Sequence, residues 1–194
     1  WLARLVGYVV AEGYVDLGSD NTGSIFVTNN DRAVVDDVTD ALERLDAPYS
    51  VRSPHENKEA REVVCTAGEL VSLFERIEPA ILEPSAAQRV PDRLFETSDD
   101  VRRGFLRAYL EGEAHVSTEQ RSITVGSMSR ELLDGVRSLL LSFEIGSTLE
   151  SRPDGSYRLR ISGKNFVQFR ENLEFVSERK HFFFNDTATT EIYT

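Results

Sequence analysis

The chain has 194 residues, 40% hydrophobic and 28% charged, which is ordinary for a folded protein and enough for one large domain or two small ones. Its formal net charge of −11 counts against a surface built to neutralise phosphates. No run approaches the roughly 20 consecutive apolar residues that cross a bilayer, and no charged segment precedes an apolar one at the start, so a cytoplasmic protein with no membrane partner is expected.

The first predicted element is a helix already under way at Trp1, with no methionine before it, so the chain is expected to be a fragment of a longer protein. A strand follows over 25–28. Val34, Val35, Val38, Leu42 and Leu45 then recur at helical spacing behind Asn30 or Asp31, predicting a capped helix over 31–45. Strands are predicted over 49–52 and 62–66 and a helix over 67–77. Cys65 is the single cysteine; within Val63-Val64-Cys65 it reads as a buried strand residue and not as a nucleophile.

Residues 79–98 hold three of the six prolines and are taken as a linker between subdomains 1–78 and 99–181. Beyond it the order repeats, with a strand over 122–126, a helix over 129–143 opened by Ser129 with Glu131 in its first turn, strands over 147–151 and 157–162, and a helix over 163–173. The strand Tyr157-Arg158-Leu159-Arg160-Ile161 alternates, apolar on one face and basic on the other, after the turn Pro153-Asp154-Gly155. From residue 182 the composition changes abruptly, and 182–194 is read as an artefactual tail that resembles translated sequencing adapter.

Two observations soften the charge objection. Only three of the 22 basic residues are lysine (Lys58, Lys164, Lys180), and arginine usage with surplus acid resembles proteins of salt-loving cells. Between Arg152 and Lys180, seven basic residues face four acidic ones, a local balance of +3.

Self-similarity decides the reading. Leu5-Val6-Gly7-Tyr8-Val9-Val10-Ala11-Glu12-Gly13 aligns without gaps with Leu106-Arg107-Ala108-Tyr109-Leu110-Glu111-Gly112-Glu113-Ala114, and each half reads helix, hairpin, helix, hairpin, helix. Gly7 and Ala11, like Ala108 and Gly112, lie four apart and give each helix a face of small residues, on which two helices can pack closely. Each helix then ends in an acid, Glu12 or Glu113. The macrodipole opposes a carboxylate at a helix C-terminus, and two carboxylates brought together repel each other. A divalent cation between them removes both penalties, and hard oxygen ligands with water positions left open suit Mg²⁺.

These repeated nonapeptides resemble the two signature helices of LAGLIDADG homing endonucleases of the kind borne by inteins, and the similarity covers nearly all of residues 1–181. Arg89-Val90-Pro91-Asp92-Arg93-Leu94-Phe95, Arg103-Gly104-Phe105-Leu106-Arg107 and Tyr157 to Gly163 resemble those members in order and spacing. The resemblance implies a duplicated αββαββα α+β fold with two saddle-shaped antiparallel sheets in the major groove of double-stranded DNA. It implies that Glu12 and Glu113 are the catalytic, metal-binding acids, and that the chain is a monomer with an internal pseudo-dimer, embedded in an intein-containing host protein. Arg52, Arg158, Arg160 and Lys180 are grouped as DNA-contacting residues; Lys180 also lies where the family often has a basic residue near the active site. The chain departs from the pattern at Ala114, where glycine is usual, and at His115, so an altered turn after Glu113 is expected.

Glu12 and Glu113 taken singly would be ordinary solvated helix-end acids; the repeat favours a paired site. Glu111 reads as a solvated or supporting acid, His115 as surface or functional in equal measure, Tyr8 and Tyr109 as core. The leading expectation is a Mg²⁺-dependent, site-specific DNA endonuclease. The alternatives are a non-cutting DNA- or RNA-binding module of the same fold, or an interaction module whose repeat is purely structural.

Overall fold

The protein is described by a computed structural model over residues 1–18, 22–54 and 59–180. The first half runs α1 (Leu2–Glu12), β1 (Gly13–Asp16), β2 (Ser24–Asn29), α2 (Arg32–Arg44), β3 (Tyr49–Arg52), β4 (Arg61–Cys65) and α3 (Gly68–Ile77). The second runs α4 (Asp99–Glu113), β5 (His115–Ser117), β6 (Ser122–Ser127), α5 (Arg130–Leu141), β7 (Thr148–Ser151), β8 (Tyr157–Ser162) and α6 (Lys164–Asn172). Each half forms a four-stranded antiparallel sheet, ordered β1-β2-β4-β3 and β5-β6-β8-β7. This is the duplicated α+β fold expected from the repeat. Strands β1 and β5 were not singled out by pattern, because four and three residues are too few for alternation to register. The expected tail at 182–194 lies outside the described residues, as does Lys58.

Local chemistry sets the helix starts. The Asp31 carboxylate accepts from the Ala33 amide at 3.0 Å and Ser129 Oγ from the Leu132 amide at 3.0 Å, each satisfying a donor that the first turn leaves free. The stripes Val34, Val38, Leu42 and Leu133, Val136, Leu140 then face the sheets and are buried. Cys65 is buried in β4, and burial pushes its thiol above the usual range.

The two halves share one apolar core, and its centre is the pair α1 and α4. Leu5, Leu106 and Leu110 are fully buried there, each contributing about 1.5–3 kcal/mol. A Cβ placed on Gly7 would meet the Phe105 carbonyl oxygen at 2.6 Å and the Ala108 Cβ at 2.9 Å, so the backbones touch with no room for a side chain. Tyr8 and Tyr109 are buried beside this contact; the Tyr8 hydroxyl donates to Asp37 at 2.7 Å, and the Tyr109 ring stacks on Phe105.

The segment 79–98 is folded onto the body. It contains two short 3-10 turns, Pro79–Ile81 and Asp92–Glu96, and it buries Ile81, Val90 and Leu94. Val90 packs on Gly135 of α5, and the buried Glu78 carboxylate takes two hydrogen bonds from Arg89 at 2.7 and 2.8 Å. Ser129 Oγ donates to the Gln88 carbonyl at 2.6 Å, tying this segment to the second half.

Candidate functional site

Both paired helices end in a glutamate for the same local reason. After Glu12 the backbone turns extended at Gly13 (φ −88°, ψ 159°), whose N–H still reaches the Val9 carbonyl, and β1 begins at once. After Glu113 it does the same at Ala114 (φ −82°, ψ 132°), whose N–H bonds Leu110 at 3.0 Å. The altered turn expected from Ala114 is therefore not found: this is a region that any residue adopts.

The close packing at Gly7 continues to this end. A Cβ on Gly112 would stand 2.7 Å from the Ala11 Cβ, 2.9 Å from Glu12 Cγ and 3.3 Å from Glu12 Cδ. Gly7, Ala11, Ala108 and Gly112 thus line the helix contact, and the Glu12 side chain rests on the residue preceding Glu113. Burial, followed by the charge of Glu12, pushes the Glu113 carboxyl up to about 7, with Lys180 acting the other way. Burial also raises the Glu12 carboxyl, against the opposing effects of Asn29 and Lys180.

Asn29 was not visible as a site residue. At the end of β2, its amide nitrogen donates to Glu12 and its oxygen accepts from the Asp31 amide at 2.7 Å, so one side chain joins the helix cap to the acid. Its strand counterpart Ser127 repeats only the second bond, accepting from the Ser129 amide at 3.0 Å. Beside Glu113 opens a cavity of about 560 Å³, also lined by Tyr14, Glu83, Gln88, Tyr109 and Ser127.

Glu111 is not solvated. It is buried, and its carboxylate accepts from the amides of Val176 (2.7 Å) and Ser177 (3.1 Å) and from the Ser177 hydroxyl (2.7 Å). Lys180, one turn further on, lies 3.7 Å from that carboxylate, donates to the Glu111 carbonyl and sits over the Phe175 ring. Lys180, grouped with the DNA-contacting residues, is instead 8% exposed, held where its charge is felt by Glu12 and Glu113. Burial lowers its own pKa. His115 is exposed on the edge strand β5. Arg158 and Arg160 lie on the face of β8 opposite buried Leu159 and Ile161, and Arg52 is bridged to Glu62 at 2.6 Å on β3 and β4.

Among the described residues, no group of three or more Asp, Glu, His or Cys is placed to hold a metal. Two neighbouring carboxylates whose proton affinity is raised by burial, that of Glu113 also by the charge of Glu12, fit a hard divalent cation that takes its remaining ligands from water and substrate oxygens. Among the described residues, no helix is long and apolar enough to cross a membrane.

A family model described as a LAGLIDADG-like domain matches residues 2–78 and again 100–174, and the chain belongs to that family. It is 24% identical over 171 residues to DNA-directed RNA polymerase subunit Rpo1C of Methanocaldococcus jannaschii, covering 86% of this chain and 19% of that protein. It is 27% identical over 182 residues to a DNA polymerase of Thermococcus sp. (strain GE8), covering 92% of this chain and 10% of that protein. The replication factor C small subunit of M. jannaschii is 25% identical over 186 residues, covering 92% and 10% respectively. The chain thus spans less than a fifth of the length of these relatives. Among solved structures, I-DmoI in complex with DNA and Mn superposes with a TM-score of 0.65 at 13% identity, over 89% of this chain and 94% of that one. Full-length DUF199/WhiA from Thermatoga maritima superposes with a TM-score of 0.67 at 16% identity, over 100% and 61%. These likenesses establish the fold.

Proposed function

We propose that this domain is a site-specific endonuclease for double-stranded DNA, borne by an intein, with Glu12 and Glu113 as its metal-binding acids. The observation that carries the reading is the pair of half-buried glutamates at the ends of two helices in backbone contact. Nothing in the packing rewards two mutually repelling acids at negative helix ends. Magnesium bound there would lower the pKa of a water molecule and offset charge on the phosphodiester oxygens. Glu12 and Glu113 hold and orient, Asn29 fixes the Glu12 carboxylate, and Lys180 supplies a cation close to both acids. Arg52, Arg158 and Arg160 contact the duplex from the sheets.

Support for the intein setting comes from the relatives. An RNA polymerase subunit, a DNA polymerase and a replication factor subunit share a segment like this chain within much longer proteins. Support for the cation comes from I-DmoI, which has been solved with DNA and Mn, Mg or Ca. The second reading, a duplex-binding module that does not cut, is supported by the likeness to DUF199/WhiA at a TM-score of 0.67.

Cleavage of a duplex fragment library with Mg²⁺, comparing the wild type with Glu113→Gln, tests the assignment. Cutting by the wild type and binding without cutting by the variant is the expected result. Binding without cutting by both supports the second reading, and absence of salt-sensitive binding supports a purely structural repeat. The intein setting is tested by the flanking coding sequence, where a Cys or Ser at the upstream junction and a His-Asn pair downstream are expected.

A further inference from the structure

The two sheets share one strand order, yet their open faces carry different chemistry. In each sheet one set of alternate residues is buried under the helices: Ile25, Val27, Val63 and Cys65 in the first, Ile123, Val125, Leu159 and Ile161 in the second. The other set faces outward. Strand register then defines equivalent rows across the two sheets.

In the first sheet the other row reads Tyr14, Phe26, Val64, Ser50 across β1, β2, β4 and β3, with Val64 itself buried at 7% exposure. The matching row of the second sheet reads His115, Thr124, Arg160, Thr148 across β5, β6, β8 and β7. The neighbouring row reads Thr28, Glu62, Arg52 in the first sheet and Gly126, Arg158, Glu150 in the second. The central strand thus carries an acid in one half and an arginine in the other.

The side chains reinforce the difference. Tyr14 is 66% exposed and its ring lies 5.8 Å from that of Phe26, forming an apolar patch on an open sheet face. The Arg52 guanidinium lies 5.9 Å from the Phe26 ring centroid, and its Nε is bridged to Glu62 at 2.6 Å, so its charge is partnered by an acid on the same face. On the second sheet Arg160 donates from its guanidinium end to the Gln120 amide oxygen at 3.3 Å, a long contact that duplex can displace, while its Nε is buried without a partner among the described residues. In a major groove, a free arginine fork pairs with guanine O6 and N7, whereas an apolar side chain recognises the thymine methyl.

We propose that the domain reads its DNA asymmetrically: the second sheet selects guanines through Arg158 and Arg160, and the first selects thymine through the Tyr14–Phe26 patch. This rests on the duplex-binding reading given above. Phosphate attraction falls mostly on the second half, where residues 152–180 carry a local charge of +3.

The test is selection of bound duplexes from a randomised library in calcium-containing buffer, with the wild type, Arg160→Val and Tyr14→Ala. Both substituted side chains lie on open sheet faces, and thermal melts check that both variants fold. The expected wild-type consensus has guanines on one side of its centre and thymines on the other. Arg160→Val is expected to reduce discrimination for guanine at one position by roughly 5- to 150-fold and to leave the thymine side unchanged. Tyr14→Ala is expected to weaken only the thymine side. A consensus with guanines on both sides, or an Arg160→Val effect spread over both, overturns the asymmetry while leaving duplex binding intact. Failure of the wild type to retain any duplex overturns the binding reading, and this inference with it.

Discussion

Gly7 lies directly on the backbone of Phe105: a Cβ there would approach the Phe105 carbonyl oxygen to 2.6 Å, an atom that cannot swing aside. The contact fixes the separation of the two helices that carry the acids. Gly7→Val is expected to destabilise the domain by about 1–3 kcal/mol through overpacking, measured by denaturant unfolding. Gly104 is a control on the same pair, because a Cβ there meets only the Arg4 Cβ at 3.9 Å. Gly104→Ala should be neutral or stabilising by about 0.5–1 kcal/mol through helix propensity.

Glu111 holds the segment from Val176 to Lys180 against the C-terminal end of α4. Glu111→Ala removes the acceptor for two amides and a hydroxyl and leaves the buried Lys180 ammonium without its counter-ion. A loss of about 3–5 kcal/mol is expected. Hydrogen exchange should show protection falling first at Val176 and Ser177; unchanged protection there would refute the latch.

The Glu113 carboxyl gives the domain a pH signature. Its ordinary value of 4.5 is pushed up to about 7 in the fold. Between those values the folded protein keeps a proton that the unfolded chain has released. The contribution is therefore fully present below pH 4.5 and is lost as pH rises through 7. In EDTA, the melting temperature of the wild type should fall between pH 5 and 8 by more than that of Glu113→Gln. Added Mg²⁺ should raise the wild-type melting temperature more at pH 8 than at pH 5.5, since binding requires the deprotonated form. Parallel pH profiles for the two proteins would contradict the assignment of the shift to this carboxyl.

Arg89 secures the connecting segment through its paired hydrogen bonds to buried Glu78. Arg89→Ala strands that carboxylate, leaving it the Ala80 amide at 3.1 Å. A cost of about 2 kcal/mol is expected, read from urea unfolding. Limited proteolysis between Glu78 and Ser98 should become faster; resistance equal to wild type would show that Val90 and Leu94 alone hold the segment.

The sequence alone determined the duplication, most of the strands and helices, the small-residue stripes and the two terminal glutamates. These are legible because period, capping and repetition are local: Ser129 announces its helix wherever the helix goes, and Gly7 pairs with Ala11 on one face by helical spacing. Tertiary structure alone decided what lies beside the acids. Asn29 reaches Glu12 from the end of β2, and Glu111 draws Lys180 beneath the helix ends from 69 residues away in sequence. It also decided that the proline-containing segment 79–98 packs as part of the core and that Ala114 turns as Gly13 does. Such contacts depend on where distant backbone segments come to rest, and no periodic pattern encodes that.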